Sequence, residues 1–305
     1  MAGSLAGSYG YRALVTTLDA SYARCRDLNR SRGATYYAAT LLLPRVKRHH
    51  VHALYGFCRQ ADEVVDALGE ATVHDREAAL NEFGARFFDD LDRGDSDDLV
   101  FKAVVHTVSA FDINPDYFRR YLRSMTMDLS VTSYETFDDL LDYMDGAAVV
   151  VGEMVLPILE PTSAEAFGRS RDLSIAFQLT DLLRDVADDL ARDRVYLPQE
   201  DLRRFGVDPR ERAVTTGWEA LVDFEIRRIR GYYESGQTGF ALLPPASARC
   251  VRAIARIYRE SLDRMEKAKG DLFGPKLRVP AVRKAMVVGQ SFLRLPEAKG
   301  PKTPR

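Results

Sequence analysis

An all-α fold is predicted by three features of the sequence. Apolar residues recur at helical spacing through most of the chain, alternating strand patterns are scarce, and proline and glycine fall mostly between the periodic segments. The first such segment, 46–68, places Val51, Leu54, Tyr55, Cys58, Ala61 and Val65 on one face. Segments 75–92 and 98–110 follow across the acidic loop 92–98 (DRGDSDD). Segment 136–156 comes next, and Thr162-Ser163 followed by Glu165 reads as the start of 163–193. The last two segments are 217–235 and 247–269. Breaks stand at Pro44, Asn114-Pro115, Pro161, Pro198, Gly206 to Pro209, Pro244-Pro245 and Gly274-Pro275. With no internal repeat and no long linker, the expected organisation is one domain over 11–295. Flexible ends are expected at 1–10 and 296–305.

Composition narrows the function. At 46% apolar and 29% charged residues, the 305-residue chain can bury a core, which excludes disorder as its main state. The 43 basic and 45 acidic side chains leave a net charge of −2, so a strongly basic nucleic-acid binder is not indicated. Cys25, Cys58 and Cys250 are odd in number and lack metal or disulfide spacing, which points to a reducing, cytoplasmic setting. Residues 1–10 lack the charged start and apolar run of a signal peptide. The most apolar stretch, 147–159, carries Gly152, Glu153 and Pro157 and falls short of the roughly 20 residues of a spanning helix. Contact with a membrane surface stays open.

The chemistry is carried by carboxylates. Asp62 and Asp66 stand four apart in a helical segment and so share one face, where two like charges call for a counter-ion. Oxygen-only ligands of this kind suit Mg²⁺, with Mn²⁺ as the alternative, and Mg²⁺ typically shares carboxylates with substrate phosphates. A lone pair at this spacing is most often a solvated helix face. Asp112 and Asp116 flank Pro115 and cannot share a regular helix, and Asp138 and Asp142 read as solvated. Asp181, Asp185 and Asp189 are harder to dismiss. They form one row beside Asp188, with Gln178 on nearly the same face, in a segment otherwise rich in Ile175, Phe177, Leu179, Leu182 and Leu183. Arg59 and Arg184 accompany the two rows and offer forks suited to phosphate oxygens, or ordinary salt bridges. Two acidic helices with arginines at the rim of an apolar cavity suggest a substrate with a diphosphate head and a hydrocarbon body.

These residues sit in longer motifs. Residues 35–66 (TYYAATLLLPRVKRHHVHALYGFCRQADEVVD) resemble the first signature of the squalene/phytoene synthases, and 176–205 (AFQLTDLLRDVADDLARDRVYLPQEDLRRF) resemble the second. Residues 143–159 resemble the family's small-residue helix, and 240–266 resemble the C-terminal part of bacterial phytoene synthases. The resemblance covers roughly 12–285, in order. It implies an isoprenoid-synthase helical bundle around a central apolar cavity, and head-to-head condensation of two allylic diphosphates with Mg²⁺. By motif position it implies Asp62, Asp66, Asp181, Asp185 and Asp189 as metal ligands, and Thr35, Arg59, Arg184, Tyr258 and Arg278 on diphosphate oxygens. Tyr36, Tyr55, Tyr143 and Gln178 would line the reaction chamber, where each aromatic face would stabilise a cation by roughly 0.5–2 kcal/mol. Asp181 stands where the family more often has Asn, Asp145 replaces a frequent Tyr and is expected to point outward, and 276–278 is less basic than in many relatives.

The expected activity is the joining of two geranylgeranyl diphosphates to phytoene through prephytoene diphosphate, in carotenoid biosynthesis and without NADPH. Thr40 and His52 are not large apolar plugs, which favours the twenty-carbon chain. One rival is a farnesyl-diphosphate enzyme making squalene, dehydrosqualene or presqualene diphosphate; a rival of another class is a non-catalytic helical scaffold. The partners expected are prenyl diphosphates, with no nucleic acid and with a peripheral membrane contact for product release. Arg45, Lys47, Arg48, His49 and His50 read as a solvated helix start, and Arg227, Arg228 and Arg230 as a surface run.

Overall fold

The computed structural model describes residues 9–66 and 71–293, side chains of 9–17 and of Asp66 excepted. The ends expected to be flexible, 1–10 and 296–305, lie outside the described residues save for the backbone of residues 9 and 10. Among the described residues there is no strand, only an isolated bridge between Ser133 and Val195. The helices are α1 (Tyr9–Arg32), α2 (Ala34–Thr40), α3 (Arg45–Asp66), α4 (Val73–Arg93), α5 (Leu99–Phe111), α6 (Asp116–Ser130), α7 (Phe137–Met144) and α8 (Val150–Leu159). They continue as α9 (Glu165–Arg184), α10 (Val186–Leu190), α11 (Gln199–Phe205), α12 (Thr216–Gly236), α13 (Pro245–Lys267) and α14 (Ala281–Leu293). No helix among the described residues is long and apolar enough to cross a membrane.

Within the described residues all seven predicted segments are helical, with two interruptions; residues 67 and 68 of the first lie outside them. The 136–156 segment passes through a π-helical turn, Asp145–Val149, between α7 and α8. The 163–193 segment breaks at Asp185 (φ −98°, ψ 9°), between α9 and α10. The periodic pattern did not mark α1, α2, α6, α11 or α14. Helices α2 and α11 are seven residues each, too short for a pattern to repeat. In α6, Asp116, Arg119, Arg120, Arg123 and Asp128 interleave with the apolar positions.

Local chemistry fixes the ends. Thr72 and Asp75 form a reciprocal cap at α4, and Thr136 and Asp139 do the same at α7. Asp98 caps α5 through the amides of Val100 and Phe101. Gly94 (φ 76°) closes α4 in the left-handed region.

One apolar cluster joins α1, α3, α4, α5, α6 and α8 around Phe57, whose ring centroid lies 4.6 Å from that of Phe87 and 4.9 Å from that of Phe118. A second joins α7, α9, α12 and α13 around Trp218, Tyr233 and Met265. A third seats α14 on α2 and α13 through Val287, Val288, Ala253 and Ile257. Helix α8 packs on both α3 and α9, α2 packs on both α3 and α13, and α13 packs on α9. The circuit α3–α2–α13–α9–α8 therefore closes on itself and carries one acidic row on α3 and the other on α9 and α10.

The small residues of 146–152 serve close packing. A Cβ on Gly146 would lie 2.3 Å from the Arg120 carbonyl oxygen of α6, and one on Gly152 would lie 2.4 Å from Ser174 Oγ of α9. Asp145, expected to point outward, is partly exposed and paired there with two arginines. Arg120 Nη2 binds its carboxylate at 2.6 Å and Arg171 Nη1 at 2.8 Å. Partial burial opposes its ionisation, but the two guanidiniums outweigh it and hold the carboxyl below its ordinary value.

Two basic runs also differ from their solvated readings. Lys47 is buried with its ammonium 2.9 Å from Glu160, and Arg48 donates to the carbonyls of Leu41 and Leu43 at the end of α2. His50 is buried against Tyr22, Thr107 and His106, and burial pushes its pKa down to about 4. These residues lie where α3 meets α1, α2 and α5, so tertiary burial overrides their polarity. Arg228 is likewise drawn in, with Nη1 2.8 Å from both Asp201 and Glu225.

Glu225 is 3% exposed, and burial with the Asp201 charge pushes its pKa up to about 7 although Arg228 opposes the shift. The folded state thus holds a proton there that an unfolded glutamate releases near pH 4.5. Stability falls as pH rises from about 4.5 through about 7 by roughly 1–3 kcal/mol from this group. Glu225→Gln should flatten that loss in melting curves taken across the interval. Gly146→Ala should cost about 1–3 kcal/mol in denaturant unfolding, because the opposing atom is backbone.

Candidate active site

The site grows from the joint between α1 and α2. Gly33 stands there because a Cβ would lie 2.7 Å from the Tyr55 ring, so the turn delivers α2 directly onto α3. Thr35 and Tyr36 fall in the first turn of α2. Tyr36 Oη lies 2.8 Å from Tyr258 Oη of α13, and Tyr258 Oη donates at 3.1 Å to Asp181 of α9. Phe177, one turn before Asp181, packs its ring 4.6 Å from that of Tyr258. Tyr36 is within electrostatic reach of Tyr55, and Tyr55 of Arg59 and Asp62. Phenols from α2 and α13 thereby reach Asp181 of the second row, and the α3 phenol Tyr55 stands within electrostatic reach of Asp62 of the first. Burial drives the Tyr36 and Tyr258 hydroxyls far above their usual pKa, so both stay protonated donors.

The second row is a dense ladder. Arg184 Nη1 meets Asp181 at 2.5 Å, and its Nη2 and Nε meet Asp185 at 2.5 and 3.1 Å. Lys276 Nζ adds contacts to Asp185 at 2.9 Å and Asp188 at 2.5 Å. Burial opposes the ionisation of Asp185, but Arg184 and Lys276 outweigh it and hold its carboxyl low. Asp181 is raised, because desolvation and the Asp185 charge exceed the help from Arg184 and Tyr258. Asp189 is pushed up to about 6 by burial and by Asp185. Since the chain bends at Asp185, the three carboxylates do not share one straight helical stripe as expected; Asp189 belongs to α10.

The first row lies on α3. Arg59 Nε binds Glu63 at 3.1 Å, and its Nη1 lies 3.7 Å from Asp62. Tyr121 Oη lies 3.3 Å from the Cys58 carbonyl and 3.5 Å from Asp62. Asp66 ends α3, and its side chain lies outside the described residues.

Of the remaining expected residues, Gln178 is half-buried in α9 and Arg278 is exposed beyond α13. Tyr143 is 3% exposed, with its ring centroid 5.3 Å from that of Tyr134 and 5.7 Å from that of Tyr196. Its hydroxyl donates at 2.9 Å to Asp128, which also receives Tyr196 at 3.0 Å. Asp128 escaped sequence reasoning because no second carboxylate stands at helical spacing from it in α6. This group still borders the site: Tyr121 feels Tyr143 as well as Asp62, and Tyr196 feels Asp189.

Two lysines were also missed. Lys276 lies in a segment read as weakly basic, and Lys284 in the unpredicted α14. Half-buried Lys284 lies within electrostatic reach of Arg184, Arg278 and Asp181, and burial lowers its pKa. No spacing in the sequence links either lysine to the acidic row; only the fold does.

Among the described residues, no three carboxylate, histidine or cysteine groups converge to hold a metal ion. The donor set still fits a hard divalent cation. It is all oxygen, and a cation would favour the charged forms of Asp189 and Asp181, which burial now opposes. Such a cation would draw its remaining ligands from water and substrate oxygens.

The family model for squalene/phytoene synthase matches residues 29–284. The chain is 33% identical over 298 residues to a 15-cis-phytoene synthase from Synechococcus elongatus, covering 93% of this chain and 96% of that one. It is 32% identical over 291 residues to a phytoene synthase from Arthrospira platensis, covering 90% and 93%. Among solved structures, a dehydrosqualene synthase in complex with ligand superposes with a TM-score of 0.82 at 28% identity, covering 91% of this chain and 97% of that one. The squalene synthase HpnC from Alicyclobacillus acidocaldarius does so with a TM-score of 0.77 at 28% identity, covering 83% and 96%.

Because Tyr258 donates to Asp181, Tyr258→Phe should raise the pKa of that carboxyl further, as read by NMR titration of labelled aspartates. The lost hydrogen bond should cost about 1 kcal/mol in thermal unfolding.

Proposed function

The chain belongs to the squalene/phytoene synthase family, whose members are prenyltransferases, and we propose that it condenses two geranylgeranyl diphosphates head to head into phytoene through prephytoene diphosphate. The observation that carries this reading is the pair of acidic rows carried on one closed circuit of helices, the second row bound through Tyr258 to Tyr36, in a chain that matches phytoene synthases over nearly its whole length.

Asp62 and Asp66 on α3, and Asp181, Asp185 and Asp189 on α9 and α10, are the residues we assign to the divalent metal, which we take to be Mg²⁺. When bound, it supplies neutralisation of the charge that grows on the leaving diphosphate. Arg184 and Lys276, now clasping Asp181, Asp185 and Asp188, are placed to pass part of their charge to phosphate oxygens. Arg59 serves the other row in the same way, with Thr35 and Arg278 at the edge of the site. Tyr258 bridges Asp181 and Tyr36 as a protonated donor and orients both.

Loss of the first diphosphate leaves an allylic cation that a double bond of the second substrate attacks, closing a cyclopropane on proton loss. Loss of the second diphosphate, rearrangement and a further proton loss give the hydrocarbon. The rings of Tyr36, Tyr55 and Phe177 offer π faces to positive charge, and the apolar clusters keep water from quenching it. Thr40, bonded to the Tyr37 carbonyl, and His52, bonded to Asn29 and stacked on Tyr37, present no bulky aliphatic plug; this supports the longer chain.

Incubation with Mg²⁺ and each prenyl diphosphate, followed by analysis of the organic extract, should give phytoene from the twenty-carbon substrate. A thirty-carbon product from farnesyl diphosphate alone would overturn the chain-length assignment, and no diphosphate release from either would favour a scaffold. Asp62→Ala and Asp185→Ala should each lower diphosphate release at least about 10²-fold with helical content unchanged in circular dichroism.

A further inference from the structure

Where α1, α3 and α5 meet, one phenol stands among three imidazoles. Tyr22 of α1 has its ring centroid 4.3 Å from that of His49, 5.5 Å from that of His50 and 5.9 Å from that of His106. The His49 and His50 centroids are 4.1 Å apart, and His50 stacks on His106 at 5.8 Å. His50 is buried, His49 is half-buried and His106 is exposed, so the cluster runs from core to solvent. None of these residues takes part in the chemistry proposed above.

The hydrogen bonds assign the protons. Thr107 spends its own on the Ala103 carbonyl at 2.8 Å, so it accepts from His50 Nδ1 at 2.9 Å. His50 therefore carries its proton on Nδ1, which also lies 3.1 Å from Tyr22 Oη. Tyr22 in turn donates at 2.7 Å to His106 Nδ1. This chain of bonds requires neutral rings. A proton added to His106 Nδ1 sets donor against donor at Tyr22, and one added to His50 sets a cation between two other imidazoles. The remaining groups around the cluster offset little of this. Asp19 of α1 is exposed, and Arg45 of α3 reaches His49 only through its backbone. Cys25 of α1, near Tyr22, is buried and stays a neutral thiol. Phe111 of α5 meets His50 edge-on at 4.7 Å. Next along α3, His52 bonds Asn29 of α1 at 2.8 Å, within electrostatic reach of Arg26 and Arg48, and burial pushes its pKa down to about 4 as well.

We propose that Tyr22, His49, His50 and His106 form an acid-sensitive latch, which holds α1 against α3 and α5 while the imidazoles are neutral and releases it when they are charged. Burial, with His49 and His106 adding to it, pushes the pKa of His50 from 6.5 down to about 4. An unfolded histidine binds a proton between those values that the latched one refuses. The latch is therefore at full strength above about pH 6.5 and weakens as pH falls toward about 4. Release does not stop at α1. Gly33 N–H donates to the Asn29 carbonyl and Tyr37 N–H to the Gly33 carbonyl, each at 2.8 Å, so α1 is tied to α2 through the joint. Thr35 and Tyr36 ride on α2.

Hydrogen exchange of the full chain, without substrate, at about pH 7.5 and about pH 5 reads the opening of α1 once intrinsic exchange rates are corrected for. The opening equilibrium over residues 18–32 should rise at least about tenfold at the lower pH, the His50 shift alone being sufficient. Amides of α12, which lies outside the cluster, should keep their protection. His50→Gln with His106→Gln should remove most of the rise, because glutamine hydrogen-bonds without taking up a proton. His106→Gln alone, at an exposed ring, should reduce it with helical content unchanged in circular dichroism. Exchange in α1 that ignores pH, a rise of equal size in α12, or a rise that persists undiminished in both variants would overturn the proposal.

Discussion

Crowding of negative charge along α9 and α10 is the constraint around which the site is organised. Asp181, Asp185, Asp188 and Asp189 fall within nine residues, in a segment whose other side is core. Like charges at helical spacing repel, and burial sharpens the repulsion by removing water. Three features of the chain answer it. The backbone breaks at Asp185, Arg184 forks between Asp181 and Asp185, and Lys276 arrives from beyond α13 to hold Asp185 and Asp188. Burial, more than Asp185, still leaves Asp189 and Asp181 hard to ionise. A cation placed beside them would favour their charged forms.

The same crowding explains the phenols. A tyrosine donates one hydrogen bond to a carboxylate without bringing a competing charge. Tyr258 does this for Asp181, and Tyr143 and Tyr196 do it for Asp128. Their rings meanwhile pack as core, so the apolar lining is continuous up to the acids. Asp145 is answered with charge instead, through Arg120 and Arg171.

How much of this was legible in the sequence depended on what each residue's role required. The seven periodic segments follow from apolar period, because burying a face demands it, although the 24-residue α1 was not among them. The acidic rows were legible because like charges at turn spacing are locally unfavourable and invite a reason. Lys276, Lys284 and Asp128 were not, because each meets its partners only across distant elements and disturbs no local pattern. Lys47, His50 and Arg228 were misread for the converse reason: their polarity suggests solvent, while α1, α5 and α11 close over them. Tyr143 was placed by motif alone, and its commitment to Asp128 is a tertiary fact.

Helix α14 joins these themes, because its faces answer to different surroundings. Lys284 lies within electrostatic reach of Arg184 and Asp181, Val287 and Val288 anchor the helix to α2 and α13, and Val282, Met286 and Leu293 stand free. Helix α13 has the same division: Tyr258 is buried on Asp181, while Arg259 next to it in sequence opens to a basic cleft. A helix of 3.6 residues per turn cannot shift one face without the other. The donors around Asp181 and the core contacts of α2, α13 and α14 are therefore fixed by one and the same backbone placement.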